Sequence, residues 1–224
     1  NTVHNFYCKN GLRVVAENIP GLSSVSVGVW IKAGSMMELP HERGLSHLME
    51  HMAFKGTTHR TARQLAEDMD ALGGQVNAAT GRTSTMYYAR MLDEELPKGI
   101  ELLADITCNA SMLEEELEKE RKVILEEIAM VEDMPEEVIF DLINEALYRG
   151  GTLAHPILGD KNGISRYSMA EVLAFKDTYY TPQNALLSVA GHVDIQQLRS
   201  LAEEHFGHWQ GGTEQMYPDN TVNA

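Results

Sequence analysis

Apolar residues recur along this chain with two periods, and the changes of period divide it into elements. Residues 24–30, Ser-Val-Ser-Val-Gly-Val-Trp, alternate small or polar with apolar, the pattern of a half-buried strand. The opening reads as β, with a strand at 11–17 after a turn at Asn10-Gly11. Two more strands are predicted at 75–80 and 84–91, joined at Gly81-Arg82 as a hairpin would be, and a buried one at 185–190. Helical periods predict helices over about 43–54, 94–110, 113–133, 136–148, 168–180 and 194–205. Thr61 is placed to cap a further helix running to about Leu72. Glycines at 56, 73–74 and 150–151 punctuate these segments. Strands and helices are grouped rather than alternating, so the fold class expected is α+β. One domain over residues 1–209 is expected, followed by a linker or disordered tail over 210–224, marked by Gly211-Gly212, Pro218 and Asn220.

Composition changes this picture little. The chain has 224 residues, 43% apolar and 23% charged, which is ordinary for a globular protein and ample for a core. No apolar run approaches the length of a membrane span, so none is expected. A net charge of −15 argues against nucleic acid as a partner and favours basic ones. Much of the acid lies between Glu114 and Glu137, and most of it reads as a solvated helix face. Cys8 and Cys108 make no disulfide framework and are expected to be inert in a reducing compartment. His41, His59, His155, His205 and His208 read as surface residues rather than ligands.

The helix over 43–54 carries the chemistry. Setting His47 at zero on a helical wheel puts His51 near 40° and Glu50 near −60°, about one face, with Leu45, Leu48, Met49 and Met52 opposite. The order His-x-x-Glu-His is the reverse of the commoner His-Glu-x-x-His zinc motif and is a known metallopeptidase signature. A catalytic zinc takes three protein ligands and keeps one position open, so a third ligand must come from elsewhere. The acidic helix over 113–133 offers one. Leu117, Ile124, Ile128 and Val131 form an apolar stripe, and Glu120 and Glu127 sit inside the same arc, while Glu115, Glu118 and Glu126 point away. A carboxylate on a core-facing stripe is costly unless paired, hydrogen-bonded or metal-bound. Pairing to Arg or Lys at a helix interface is the alternative for both.

With these residues placed, the chain resembles the pitrilysin/insulinase superfamily of zinc peptidases, and within it the processing-peptidase branch. The likeness is carried by residues 44–57, GLSHLMEHMAFKGT, by 72–80, LGGQVNAAT, by 120–127, ERKVILEE, and by 180–191. Leu48 stands where the family usually has an aromatic residue, a packing change only. The resemblance implies a mixed, mostly antiparallel sheet packed with helices, forming one half of a clam-like two-domain metallopeptidase. It implies one zinc ion held by His47, His51 and Glu127, Glu50 as the base that activates water, and Glu120 as a supporting acid. It implies that the strand 75–80 takes an extended peptide or unfolded polypeptide, basic by preference, through Asn77 and Ala78. It also implies a homologous C-terminal domain or subunit supplying the other wall of the site, so that this domain alone binds zinc but cleaves weakly. A non-catalytic partner or core subunit and a structural zinc domain are the rival expectations. The bacterial cytoplasm is the expected location, with the mitochondrial matrix as the alternative.

Overall fold

The computed structural model describes residues 2–218; residue 1 and the last six, where the expected tail ends, lie outside it. Six strands form one sheet: β1 (Val3–Tyr7), β2 (Arg13–Asn18), β3 (Ser24–Ile31), β4 (Gln75–Thr80), β5 (Thr85–Leu92) and β6 (Ala185–Gly191). Their order across the sheet is β1-β2-β6-β3-β5-β4, and among the described residues only the β2–β6 pair is parallel. The alternation in β3 works as its sequence predicts: Val25, Val27, Val29 and Ile31 are buried, and Ser26 and Trp30 are exposed. The apolar run of β6 suits a strand paired on both edges, and it lies between β2 and β3.

Among the described residues, eight helices follow the predicted intervals with one addition. They are α1 (Leu45–Ala53), α2 (Ala62–Ala71), α3 (Leu96–Cys108), α4 (Glu114–Glu132), α5 (Pro135–Leu147), α6 (Lys161–Ile164), α7 (Met169–Tyr179) and α8 (Ile195–Phe206). The addition is α6, four residues capped by Asp160 and too short to show a period. Local chemistry sets the starts. Thr61 caps α2 in a capping box with Gln64, Ser168 caps α7 in a box with Glu171, and Asp194 caps α8. The helix expected from residue 94 opens with a 3-10 turn over Asp93–Glu95 before Pro97 enters the first turn of α3.

The inner face of the sheet, the buried sides of α1, α3 and α8, and Tyr87, Phe175 and Phe206 make one continuous core. β4 is an edge strand of the sheet, and α1 packs beside it. No helix among the described residues is long and apolar enough to cross a membrane. The described part of the tail has no regular structure, but it is tied down. Glu214 pairs with Lys32 at 3.2 Å, Gln215 donates its backbone N–H to Asn184, and the Lys32 ammonium sits 4.3 Å from the centre of the Tyr217 ring.

Candidate active site

Helix α1 is buried on more than its apolar side. Leu45, Leu48, Met49 and Met52 face the core, and His47 is buried as well, because α4 crosses the face that carries it. Leu117, Glu120, Ile124 and Ile128 are the buried residues of α4, so Glu120 occupies a place in the packing stripe that leucine or isoleucine fills elsewhere. Glu127 lies two turns on, along the same side.

The imidazole of His51 spans these two acids. Its Nδ1 lies 2.9 Å from Glu120 Oε2, and its Nε2 lies 3.6 Å from Glu127 Oε2. An ionised carboxylate only accepts, so Glu120 fixes the proton on Nδ1 and leaves the Nε2 lone pair aimed at Glu127. The second oxygen of Glu120 meets the Lys55 ammonium at 2.8 Å. Lys55 is one turn after His51, a position the wheel could have flagged. His47 Nε2 lies 3.7 Å from the same Glu127 oxygen, and the two rings stand edge to face with centroids 4.6 Å apart. Burial first, and then the neighbouring His51, pull His47 down to about 4, which keeps it neutral.

The 3.7 and 3.6 Å separations of His47 and His51 from Glu127 are too long for hydrogen bonds and right for a shared ion. Two ligands each 2.0–2.1 Å from a tetrahedral zinc stand about 3.4 Å apart. One atom each of His47, His51 and Glu127 lies within 4.8 Å of the others, the one such convergence of possible ligands among the described residues. Two imidazole nitrogens and a carboxylate oxygen form the donor set of a catalytic zinc with a fourth position free. The residues present fit that ion.

Glu50 borders the same space. His47, Glu50, Thr80, Arg82, Glu127, Glu137 and Asp141 are among the residues around a cavity of about 590 Å³. Thr80 donates its hydroxyl to Glu50, a contact from the end of β4 that no helical wheel could show. Arg82 bonds Asp141 at 2.8 Å and the carbonyl of His155. Asn77 is exposed on the β4 edge, and its Oδ1 accepts the N–H of Ala78 at 2.9 Å. His155 departs from its expected surface place: it is 7% exposed, with Nε2 3.0 Å from Arg43. A loop position carries no period that could have announced this burial.

Residues 13–161 match the family model described as insulinase, peptidase family M16. The chain belongs to peptidase family M16. Residues 166–223 match a second model, the peptidase M16 inactive domain. The junction between the two matches does not divide the fold, since β6 falls after it and lies inside the sheet. An uncharacterised zinc protease of Bacillus subtilis is 40% identical over 208 residues, covering 93% of this chain and 51% of that protein. The mitochondrial-processing peptidase subunit beta of Rattus norvegicus is 40% identical over 199 residues, covering 89% and 40%. A crystal structure of a protease from Helicobacter pylori superposes with a TM-score of 0.91 at 26% identity, over 99% of this chain and 54% of that one. This M16 chain thus spans about half the length of the curated relatives it matches.

Proposed function

We propose that this chain is the metal-bearing half of a zinc-dependent endopeptidase. The observation that carries the reading is the convergence of His47, His51 and Glu127 on one point beside a cavity that also holds Glu50. Zinc held there would supply Lewis acidity, lowering the pKa of a water to about 7 and polarising a carbonyl. Glu50 takes a proton from the attacking water and returns it to the leaving amine. The Thr80 hydroxyl holds one Glu50 oxygen, which aims the other at the reacting atoms. Glu120 keeps the His51 ring in its ligating tautomer.

The substrate is an extended stretch of polypeptide that adds to the open edge of β4. An incoming strand that takes the Ala78 N–H releases Asn77 Oδ1 from it, and the freed amide then meets the substrate backbone. Glu137 on the cavity wall, with the net charge of −15, favours basic side chains. A homologous second domain or subunit supplies the opposite wall, in keeping with the half-length match to the relatives. Two free cysteines suit a reducing compartment, and the bacterial cytoplasm is our reading of the location.

Glu50→Gln tests this. The variant should bind zinc as the wild type does and lose peptide hydrolysis by at least about 100-fold, the scale of a general base. A rate unchanged by the substitution refutes the assignment. A wild-type protein without zinc points instead to a scaffold subunit, and one with zinc but no hydrolysis beside its second domain points to a structural site.

A further inference from the structure

Helix α1 has no cap of its own. Gly44 stands at its N-cap with φ of 91°, and a Cβ there would lie 2.8 Å from the Leu158 carbonyl oxygen and 2.9 Å from Ile164 Cδ1. No serine or aspartate could stand at that position to hold the first turn. Glu38, from the preceding loop, does it instead. Its Oε2 accepts the N–H of Gly44 and its Oε1 the N–H of Ser46, both at 2.8 Å. Each oxygen takes one donor of the helix start, and His47 is the next residue along.

Keeping Glu38 there is costly. The residue is 1% exposed, and no ion pair to it is found among the described residues. Its favourable partners are the two amides and the positive end of α1. Burial still pushes its carboxyl up to about 7 against the pull of the hydrogen bonds from Gly44 and Ser46. A helix needing only an end could use a solvated cap at far less cost. The loop is fastened as well. The backbone N–H of Ser35 and of Met36 bond the carbonyls of Gly81 and Arg82, at 3.3 and 2.9 Å. The Ser35 hydroxyl bonds the His155 carbonyl, and the Tyr179 hydroxyl bonds that of Met37. The hairpin after β4 and the start of α1 are thus tied to one short segment.

We propose that Glu38 is a positioning residue of the metal centre: its carboxylate clamps the first turn of α1 and so sets His47 against Glu127 on α4. The proposal rests on reading His47 as a zinc ligand. Glutamine at 38 keeps the shape but turns an N–H₂ toward one of the two amides, so one bond is replaced by two opposed donors.

The test uses the full-length protein, purified metal-free, with wild type, Glu38→Gln, Glu38→Ala and Asp194→Ala compared. Asp194→Ala removes the cap of α8, remote from the site, and controls for a general loss of stability. Zinc affinity is measured by competition with a chromophoric chelator, and ligand geometry by the visible absorption of the cobalt(II) form. Glu38→Gln should bind zinc about tenfold more weakly, as expected when ligand orientation is relaxed, with an altered cobalt spectrum. Asp194→Ala should match the wild type in both. Glu38→Gln equal to wild type in affinity and spectrum overturns the proposal, and so does an Asp194→Ala loss as large as that of Glu38→Gln. His47→Ala in parallel separates the two readings: if it too binds zinc normally, the ligand assignment is what fails.

Discussion

Replacing Glu120 asks how much of the metal affinity comes from a residue that does not face the ion. Its two oxygens have separate duties. Oε2 accepts from His51 Nδ1 at 2.9 Å and Oε1 meets Lys55 Nζ at 2.8 Å, with the carboxylate almost wholly buried. In Glu120→Gln one oxygen remains. If it stays with His51, the new N–H₂ faces an ammonium, and Lys55, a third exposed, can swing into water at little cost. The imidazole then keeps its tautomer but loses the charge on its acceptor. In Glu120→Ala the acceptor is gone, and the ring is free to turn. Partners of metal-binding histidines are typically worth about 10- to 100-fold in affinity. We place Gln near the lower figure and Ala near the upper, about 1.4 and 2.7 kcal/mol. Zinc affinity by chelator competition at neutral pH is the assay, with unfolding of the metal-free proteins alongside. Equal zinc affinity in wild type and Glu120→Ala would refute the reasoning. So would a loss seen only as unfolding of the metal-free variant.

Two further outcomes follow from the same geometry. Burial lowers His47 from 6.5 to about 4, so the unfolded chain takes up a proton that the folded metal-free chain refuses. This stability is present above pH 6.5 and lost as pH falls toward 4, where the deficit reaches about 3 kcal/mol. Urea titrations of the metal-free protein should show that slope and His47→Gln should lack it; equal slopes would sink the account. Gly159 has φ of +77°, and a Cβ there would lie 2.5 Å from Gly44 Cα and 2.6 Å from the Arg43 carbonyl oxygen. Gly159→Ala should lose about 1–2 kcal/mol for the left-handed backbone and about 1–3 kcal/mol for the overlap. Wild-type stability of this variant would show that the loop can give way.

The parts of the site that the sequence makes legible are those written in a single helix. His47, Glu50 and His51 share a face of α1, and Glu120 and Glu127 interrupt the apolar stripe of α4, so a wheel finds all five. The structure brings the three possible ligands together and sets Glu120 behind His51. Glu38 left no such trace, because it caps a helix across a loop and depends on the backbone of Gly44. Thr80 and His155 were hidden for the same reason: their partners are distant in sequence and no period relates them. Element boundaries fell within a few residues of expectation, whereas the place of β6 between β2 and β3 could not be read, since alternation fixes a strand's faces and not its neighbours.

That place bears on the order in which the protein can form. Arg13 lies opposite Leu186 in the register of the sheet, although the two are far apart in sequence. A nascent chain that has emerged through α5 already carries His47, His51 and Glu127, and it can pair β1 with β2 and β3 with β5 and β4. It cannot join the two groups until β6 arrives, and closing so long a loop is slow relative to local pairing. During synthesis the three possible ligands are therefore present before the sheet that steadies them. An ion captured early would sit on the β3-β5-β4 half alone, and the last strand would close the frame around it.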